Sequence, residues 1–143
     1  MIEIKRISPQ ETYPLRREVL RKGTTLSHEM AGDLDADTLH LGLFAEGELM
    51  SVASFMQARH ECLQGSQYQL RGMATAPGQQ GKGYGRRLVL EAEKRLKQMA
   101  VDLLWCNARV VALEFYAKLG YEKMGEQFDV PQIGPHFVMF RRL

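Results

Sequence analysis

Cysteine is scarce in this chain, which holds only Cys62 and Cys106. Two cysteines are too few for a disulfide framework, and no CxxC pair or close Cys/His group has the spacing of a zinc site. We therefore expect a reducing compartment and no bound metal. A chain of 143 residues can bury a core without a covalent staple and has the size of one domain, about 100 to 150 residues. Residues 1–143 are expected to form that single domain.

A long hydrophobic run is also missing. No apolar stretch approaches the roughly 18 residues that a membrane span requires. The first residues, MIEIKRIS, have no apolar core of the kind found in signal peptides. These features predict a soluble cytoplasmic protein without a membrane partner.

A strong excess of one charge is absent as well, because 19 Lys and Arg face 17 Asp and Glu, a net charge of +2. This small excess argues against a nucleic-acid partner, which would need a broad basic face with interleaved aromatic residues. Positive charge is nevertheless concentrated in residues 71–97, where seven basic and two acidic side chains give a local charge of +5 and leave −3 for the rest. The same stretch holds most of the clustered glycines, as a phosphate-binding loop would require.

The spacing of apolar residues predicts short strands alternating with helices. Strands are expected at residues 2–7, 39–45, 49–58, 68–75, 103–106, 121–130 and 136–142, and helices near 15–23, 83–100 and 112–119. Residues 24–38 have few apolar anchors and are interpreted as a loop with a short helix. The resulting order, roughly βα(α)βββαβαββ, predicts an α/β fold with a mixed sheet.

The most distinctive motif is QGKGYG, Gln80–Gly85, between a predicted strand and the longest predicted helix. Glycines have no Cβ, so the backbone can approach a bound group closely. The first free amides of the helix would then point at that group with the positive end of the helix dipole. The motif therefore predicts an anion site, most simply a phosphate.

Three known phosphate loops do not match this motif. The dinucleotide fingerprint GxGxxG needs a glycine where Arg86 stands. The Walker A loop needs a glycine where Ala76 stands, and a Ser or Thr after Lys82 where Gly83 stands. The protein-kinase glycine loop belongs to a much longer domain with later motifs that are absent here.

The stretch MATAPGQQGKGYG, Met73–Gly85, resembles the acetyl-coenzyme A loop of the GCN5-related N-acetyltransferases (GNAT), in which Q/R-x-x-G-x-G/A follows the central strand. LWCNARVVALEFYAKLGYE, Leu104–Glu122, is similar to the next strand and helix of that family, including an Asn after the strand and the FYxxxGY ending. The resemblance implies a GNAT-like mixed sheet with splayed parallel strands flanked by helices. It also implies an N-acetyltransferase that moves an acetyl group from acetyl-CoA, as co-substrate, to a primary amine of a small molecule or peptide by direct attack.

In the family the pantetheine arm of the cofactor lies between two splayed strands. The resemblance implies that backbone groups of Met73 and Thr75 pair with this arm and that amides near Ala74 stabilise the oxyanion. The amides of Gly81–Gly85 would hold the pyrophosphate. The full set of implied cofactor-binding residues is Met73, Ala74, Thr75, Gln80, Gly81, Lys82, Gly83, Tyr84, Gly85, Arg86 and Asn107.

Two of these assignments leave alternatives open. Either Lys82 or Arg86 would offset the phosphate charge. Asn107 would contact the pantetheine arm or order a bridging water, but an Asn in this position is equally suited to cap the following helix.

The chemistry needs an acid for the departing thiolate and a base for the amine, whose ordinary pKa is about 10.4. Tyr116 resembles the family tyrosine that serves as the acid, although its place beside Phe115 on an apolar stripe would by itself indicate a core residue. His136 is the candidate base because neutral imidazole accepts a proton near pH 7. The alternative for His136 is a structural histidine, and the other histidines, His28, His40 and His60, have less support.

The sequence contains no recognisable motif that identifies the amine acceptor. Four acids, Glu29, Asp33, Asp35 and Asp37, could attract a cationic amine or simply form a solvated face. Cys106 adjoins Trp105 in an apolar run and is interpreted as packing. The competing function is a noncatalytic acyl-CoA-binding sensor or interaction module of the same fold, which the presence of Tyr116 disfavours. The oligomeric state, a homodimer included, is left open.

Overall fold

The computed structural model describes residues 1–143 and contains seven strands and three α-helices. In chain order the elements are β1 (Ile2–Arg6), α1 (Pro9–Leu15), a π-helical turn (Arg16–Leu20), β2 (Leu39–Ala45), β3 (Glu48–Gln57), β4 (Gln67–Thr75), α2 (Tyr84–Gln98), β5 (Leu103–Arg109), a 3₁₀ turn (Val110–Ala112), α3 (Leu113–Lys118), β6 (Glu122–Val130) and β7 (Gly134–Arg142). The fold is therefore the α/β fold with a mixed sheet that the sequence predicts. No helix combines the length and apolar character needed to span a bilayer.

All seven strands belong to one sheet, in the order β1-β2-β3-β4-β5-β7-β6. Only β4 and β5 run parallel, and their pairing covers Gln67–Leu70 against Leu103–Cys106. Beyond those residues β4 stays paired with β3 while β5 stays paired with β7. The two strands therefore separate, and a gap opens in the middle of the sheet.

A bulge bends β4 at the start of this gap. Val52 of β3 pairs with Ala74 and Ser54 pairs with Arg71, so β4 carries one extra residue between them. Gly72 takes this position at a φ of +64°, and a Cβ on it would lie 2.8 Å from Nε of Arg16. Only glycine fits both the left-handed backbone and this close approach.

The helices cover opposite faces of the sheet. The apolar stripe predicted for α2 consists of Leu88, Ala92, Leu96 and Met99. The first three are buried in the main core cluster that also contains Cys106 and Tyr116, whereas Met99 is 54% exposed because the helix ends before it. On the other face α1 packs Leu15 with Val52 and Ala74. The sheet thus has an α2/α3 face and an α1 face, which the gap between β4 and β5 connects.

Several predicted boundaries need correction. The short helix expected within residues 24–38 is wrong, because the segment consists of turns and bends. It is fixed by side-chain anchors rather than by helical bonds, chiefly Asp33, which accepts from the Met30 amide at 2.8 Å and from Arg16. The first helix is α-helical only to Leu15 and continues as the π-helical turn to Leu20. The strand expected to end at Cys106 continues to Arg109, because β7 pairs with it over that length.

Candidate active site

A cleft of about 700 Å³ occupies the gap between β4 and β5. Its walls come from β4 residues Gln69–Thr75 and β5 residues Cys106–Arg109, and it extends from the glycine loop to the π-helical turn and the β6–β7 turn. Because the β5-facing edge of β4 has no strand partner after Leu70, its backbone groups are open to a bound chain. The cleft is thus the natural place for an extended ligand.

The glycine loop forms one end of the cleft with a row of unpaired amides. The first helical bond of α2 runs from the amide of Arg87 to the carbonyl of Gly83 at 3.1 Å, and the six amides of residues 81–86 donate no hydrogen bond within the protein. Gly81 and Gly83 adopt φ values of +80° and +81°, and a Cβ on either would meet no atom within 4 Å. Open space and free amides at the start of a helix of 15 residues make this end suited to a phosphate.

Neighbouring side chains fix the loop against β4. Gln80 donates from Nε2 to the carbonyl of Thr75 at 3.1 Å. Gly85 lies against Met73 and Phe115, where a Cβ would be 3.4 Å from the Met73 sulfur. Tyr84 is buried, and Arg86 is exposed at the rim of the cleft.

Tyr116 lies in the cleft wall on the α2/α3 face, with 6% of its surface exposed. Its ring makes edge-to-face contacts with Phe115 and Tyr121 at centroid distances of 5.0 and 5.8 Å. Burial, reinforced by the nearby Cys106 thiol, raises the pKa of Tyr116 well above its usual value. Tyr116 therefore keeps its proton at neutral pH.

Burial also raises the pKa of the Cys106 thiol, to about 12. Although Cys106 lines the cleft, it stays a neutral thiol near pH 7. A protonated thiol is a poor nucleophile, so its main contribution is packing.

His136 lines the cleft from β7 and is 5% exposed. Its ring stacks on Phe128 at a centroid distance of 5.8 Å, and Nδ1 lies 2.8 Å from the carbonyl oxygen of Gly134. Since a carbonyl can only accept, we assign the proton of the neutral ring to Nδ1, which leaves Nε2 as an acceptor. The turn before β7 thus fixes the orientation of the ring.

The far end of the cleft is built from residues distant in sequence. Arg21 and Met30 line it from the first half of the chain, and Val130 and Ile133 from the β6–β7 turn. Gln132 ties the two parts together, because its Oε1 accepts from the amide of Thr25 and its Nε2 donates to the Thr25 hydroxyl, both at 2.9 Å.

A buried ion pair supports this end from beneath. Arg16 is fully buried and donates to both carboxylate oxygens of Asp33 at 2.8 and 2.9 Å and to the Ser54 hydroxyl at 2.9 Å. Burial raises the pKa of Asp33, but the hydrogen bonds from Arg16 and the Met30 amide outweigh it and leave the pKa below its usual value. His40 completes the cluster through Ser54 and the Asp33 carbonyl, and burial lowers its pKa.

Comparison with known proteins shows the family to which the chain belongs. The model of the acetyltransferase (GNAT) family matches residues 4–121. A curated relative, the uncharacterised N-acetyltransferase YitI of Bacillus subtilis (strain 168), is 40% identical over 145 residues, which cover 100% of this chain and 97% of the relative. The chain belongs to the GNAT family. It is therefore an acyl-CoA-dependent acetyltransferase, and the family uses acetyl-CoA.

Solved structures share the fold of this acetyltransferase. Escherichia coli ElaA superimposes with a TM-score of 0.80 at 18% identity, covering 99% of both chains. The PaiA N-acetyltransferase of Thermoplasma acidophilum, solved in complex with coenzyme A, gives a TM-score of 0.72 at 19% identity over 100% of this chain and 99% of that chain.

Most residues predicted for the acetyltransferase site gather in one cleft. These are Met73, Ala74, Thr75, Gln80, Gly81, Gly83, Tyr84, Gly85, Arg86, Asn107, Tyr116 and His136. Lys82 does not line the cleft, because its ammonium turns to Gln79 Oε1 at 2.8 Å. Arg86, in contrast, is among the residues that line the cleft.

Other predicted alternatives are decided by geometry. Asn107 lies within β5, and no side chain caps α3 or the 3₁₀ turn before it, so the interpretation of Asn107 as a helix cap is wrong. Of the four acids, Asp33 is paired with Arg16. Glu29, Asp35 and Asp37 are exposed, and none of the four carboxylates lines the cleft.

Sequence reasoning did not find Arg71 and Arg21 as site residues. In the sequence Arg71 is only one member of the basic stretch, yet in the structure it lines the cleft. The available signal was a lone arginine in an otherwise uncharged strand, QYQLRGMAT.

Proposed function

We propose that this acetyltransferase transfers the acetyl group of acetyl-CoA to the primary amine of a small molecule or peptide by direct attack, with residues 1–143 acting as one domain. The observation that carries the proposal is the cleft through the sheet, which has free amides at one end and Tyr116 and His136 on its walls. When bound, acetyl-CoA supplies the thioester from which the acetyl group leaves.

The residues present fit the cofactor. The free amides of residues 81–86 suit a pyrophosphate, with Arg86 at the rim to offset its charge. The open edge of β4 at Met73 and Thr75 suits the amide-bearing pantetheine arm, with Asn107 facing it from β5. Backbone amides near Ala74 are the donors we assign to the acyl oxygen.

Tyr116 and His136 divide the proton transfers between the two faces of the sheet. Tyr116 belongs to the core cluster of the α2/α3 face, and its high pKa keeps the phenol protonated to serve the thiolate. His136 pairs with Phe128, which packs on the opposite face beside Trp105. There Nε2 of His136 takes the proton of the amine, directly or through water.

Direct attack is favoured over an acetyl-cysteine intermediate. Cys106 is the one thiol in the cleft lining, and a pKa of about 12 keeps it protonated near pH 7. Cys62, the other cysteine, is exposed and outside the cleft.

The test measures acetyl-CoA binding by calorimetry and acetyl transfer across amino acids, polyamines, aminoglycosides and peptide N-termini. Tyr116→Phe should keep acetyl-CoA affinity and lower turnover by about 100-fold to 10,000-fold, because only the acidic hydroxyl is removed. Tyr121→Phe is the matched control: it removes a buried hydroxyl that donates to Glu93 at 2.7 Å and should lower stability but not turnover.

The outcomes separate the two functions. Unaltered turnover in Tyr116→Phe would make Tyr116 a core residue. Tight acetyl-CoA binding without transfer to any amine would favour the noncatalytic sensor instead.

A further inference from the structure

The charges lining the cleft have one sign. Four arginines line it, Arg21, Arg71, Arg86 and Arg109, and no aspartate or glutamate does. Arg86 belongs to the glycine loop and is accounted for by the cofactor phosphates. Arg109 is exposed on β5, with a 3.5 Å contact to the Ile133 carbonyl. Arg21 and Arg71 remain without an assigned partner.

Arg71 lies on the α1 face of the sheet, opposite the face that carries the glycine loop and α2. It pairs across the strands with Ser54, and cross-strand partners share a face. The Ser54 hydroxyl accepts from Arg16 and contacts His40, both on the α1 side. Arg71 therefore faces the side of the cleft that carries His136, away from the phosphate end.

The Arg71 guanidinium is half-buried yet forms no ion pair within the protein. Asp33, the carboxylate whose charge acts on Arg71, gives both oxygens to Arg16. Burial and the adjacent Arg16 charge lower the pKa of Arg71, although an arginine remains charged under such influences. A half-buried cation without a partner is unfavourable unless an anion arrives to pair with it.

Arg21 adds a second positive charge to the same place. It ends the π-helical turn, which packs against β4, and burial followed by the Arg71 and Arg16 charges lowers its pKa. Its Nε donates to the Ser27 carbonyl at 2.9 Å, which fixes the guanidinium and leaves its other donors for a ligand.

Given the proposed function, on which this inference rests, we propose that the acceptor amine carries a carboxylate or phosphate group, which binds to Arg71 with help from Arg21 at the far end of the cleft. Guanidinium groups match both anions in bidentate geometry. Polyamines and other acceptors without an anionic group are disfavoured, since no carboxylate lines the cleft to hold a second ammonium. The substrate class is thus an amino acid or a phosphorylated amine, with the anionic group directing the amine toward His136.

The experiment compares acceptors that differ in the anionic group alone. One arm pairs amino acids that have a primary amine and no side-chain carboxylate with their amides, and the other pairs O-phosphoethanolamine with ethanolamine. Wild type should show a kcat/KM at least about tenfold higher for the anionic member of one arm, and that arm identifies carboxylate or phosphate. Arg71→Gln should remove this preference by raising KM about tenfold to a hundredfold, as expected for the loss of a charge-assisted pair, and Arg71→Lys should restore part of it.

Arg17→Gln is the matched control. Arg17 lies in the same π-helical turn as Arg16 but is exposed and outside the cleft lining, so this variant removes one charge without touching the site and should keep the preference. Acetyl-CoA affinity, measured by calorimetry, should be the same in Arg71→Gln and wild type. A fall in that affinity would assign Arg71 to the cofactor and overturn the inference.

A second readout is independent of turnover. The N-acetyl derivatives of the same amino acids should bind wild type more tightly than the N-acetyl amides do, and Arg71→Gln should lose the difference. Acetylation of amides or plain amines as fast as their anionic counterparts would overturn the anion site while leaving the acetyltransferase proposal intact. Failure of acetyl transfer to every amine would overturn the proposed function, and the product-binding comparison would still decide whether Arg71 holds an anion.

Discussion

The two ends of the cleft use different chemistry to hold a ligand. At the glycine loop the available donors are six backbone amides of consecutive residues, 81–86, and Gly81 and Gly83 leave open space beside them. At the far end the groups are side chains, with Arg21 and Arg71 contributed by separate segments and His136 by the last strand.

This difference follows from what each end must recognise. Every acetyl-CoA presents the same pyrophosphate, so a backbone device encoded by a few adjacent residues is enough. An acceptor is recognised by its particular charges and shape, which side chains from several elements must match. The glycine-loop end can therefore be recognised as a sequence motif. The far end is formed only when separate segments of the chain fold together.

The largest expected effect is on stability and comes from removing the Arg16–Asp33 ion pair, which supports the far end of the cleft. Asp33→Asn should lower the free energy of unfolding by about 3–5 kcal/mol, because Arg16 would be left as an unpaired buried charge. Chemical denaturation measures this loss. Asp35→Asn, an exposed neighbour in the same segment, should change stability by less than about 0.5 kcal/mol.

The same pair has a defined pH dependence. The Asp33 pKa is depressed in the folded protein, so its contribution is complete above the ordinary value of 3.8 and is lost as the pH falls through the lower folded value. The stability gap between wild type and Asp33→Asn should therefore be constant near neutrality and shrink below about pH 4. A gap that stays constant down to acid unfolding would contradict the ionic role of Asp33.

A smaller effect, on activity, is expected from replacing His136, the proposed base at the far end of the cleft. His136→Gln should bind acetyl-CoA normally and lose activity on the order of 100-fold near pH 7. The loss should be greatest at low pH, where little neutral amine exists, and should be partly rescued as the pH rises and the amine arrives deprotonated. His60→Gln is the control, because His60 contacts Trp105 at 5.2 Å outside the cleft lining. A His136→Gln pH profile with the shape and height of wild type would make His136 structural.

The smallest expected effect is on acetyl-CoA binding and tests the glycine-loop end of the cleft. Gly81→Ala and Gly78→Ala are matched, since the two residues have φ values of +80° and +79° and both would place a Cβ in open space. Both variants should lose about 1–2 kcal/mol of stability from the left-handed backbone. Only Gly81→Ala should also weaken acetyl-CoA binding, by about tenfold or 1.4 kcal/mol, because Gly78 lies outside the cleft lining. Equal affinities by calorimetry would count against the loop as the phosphate site.

Gly83→Val is a less direct test of the loop, although a larger side chain at this position would also enter open space. Gly83 is the N-cap of α2 at a φ of +81°, where a β-branched residue is strained. A loss of binding in that variant would therefore mix two causes, which the matched pair at positions 78 and 81 separates.

The parts of the structure that sequence predicted well are governed by neighbours along the chain. The stripe of Leu88, Ala92 and Leu96 predicted α2 because a helix brings residues three and four apart to one face. Residues 24–38 form the expected loop but not the expected short helix, because their conformation is fixed by distant anchors, Arg16 and Gln132, that no local pattern reveals. Asn107 was ambiguous for the same reason, since pairing with β7 decided that it lies in a strand.

The sequence by itself determined the order of strands and helices and the glycine loop, because both depend on residue types at short, fixed spacings. Its resemblance to the GNAT family added the expected fold and the candidate acid Tyr116. Only the tertiary structure decided the far end of the cleft. The two halves of that end meet through Thr25 and Gln132, which are 107 residues apart, and Arg71 and His136 line one cleft only because β4 and β5 separate. Long-range packing sets such contacts, and a linear pattern does not encode which distant side chains it will bring together.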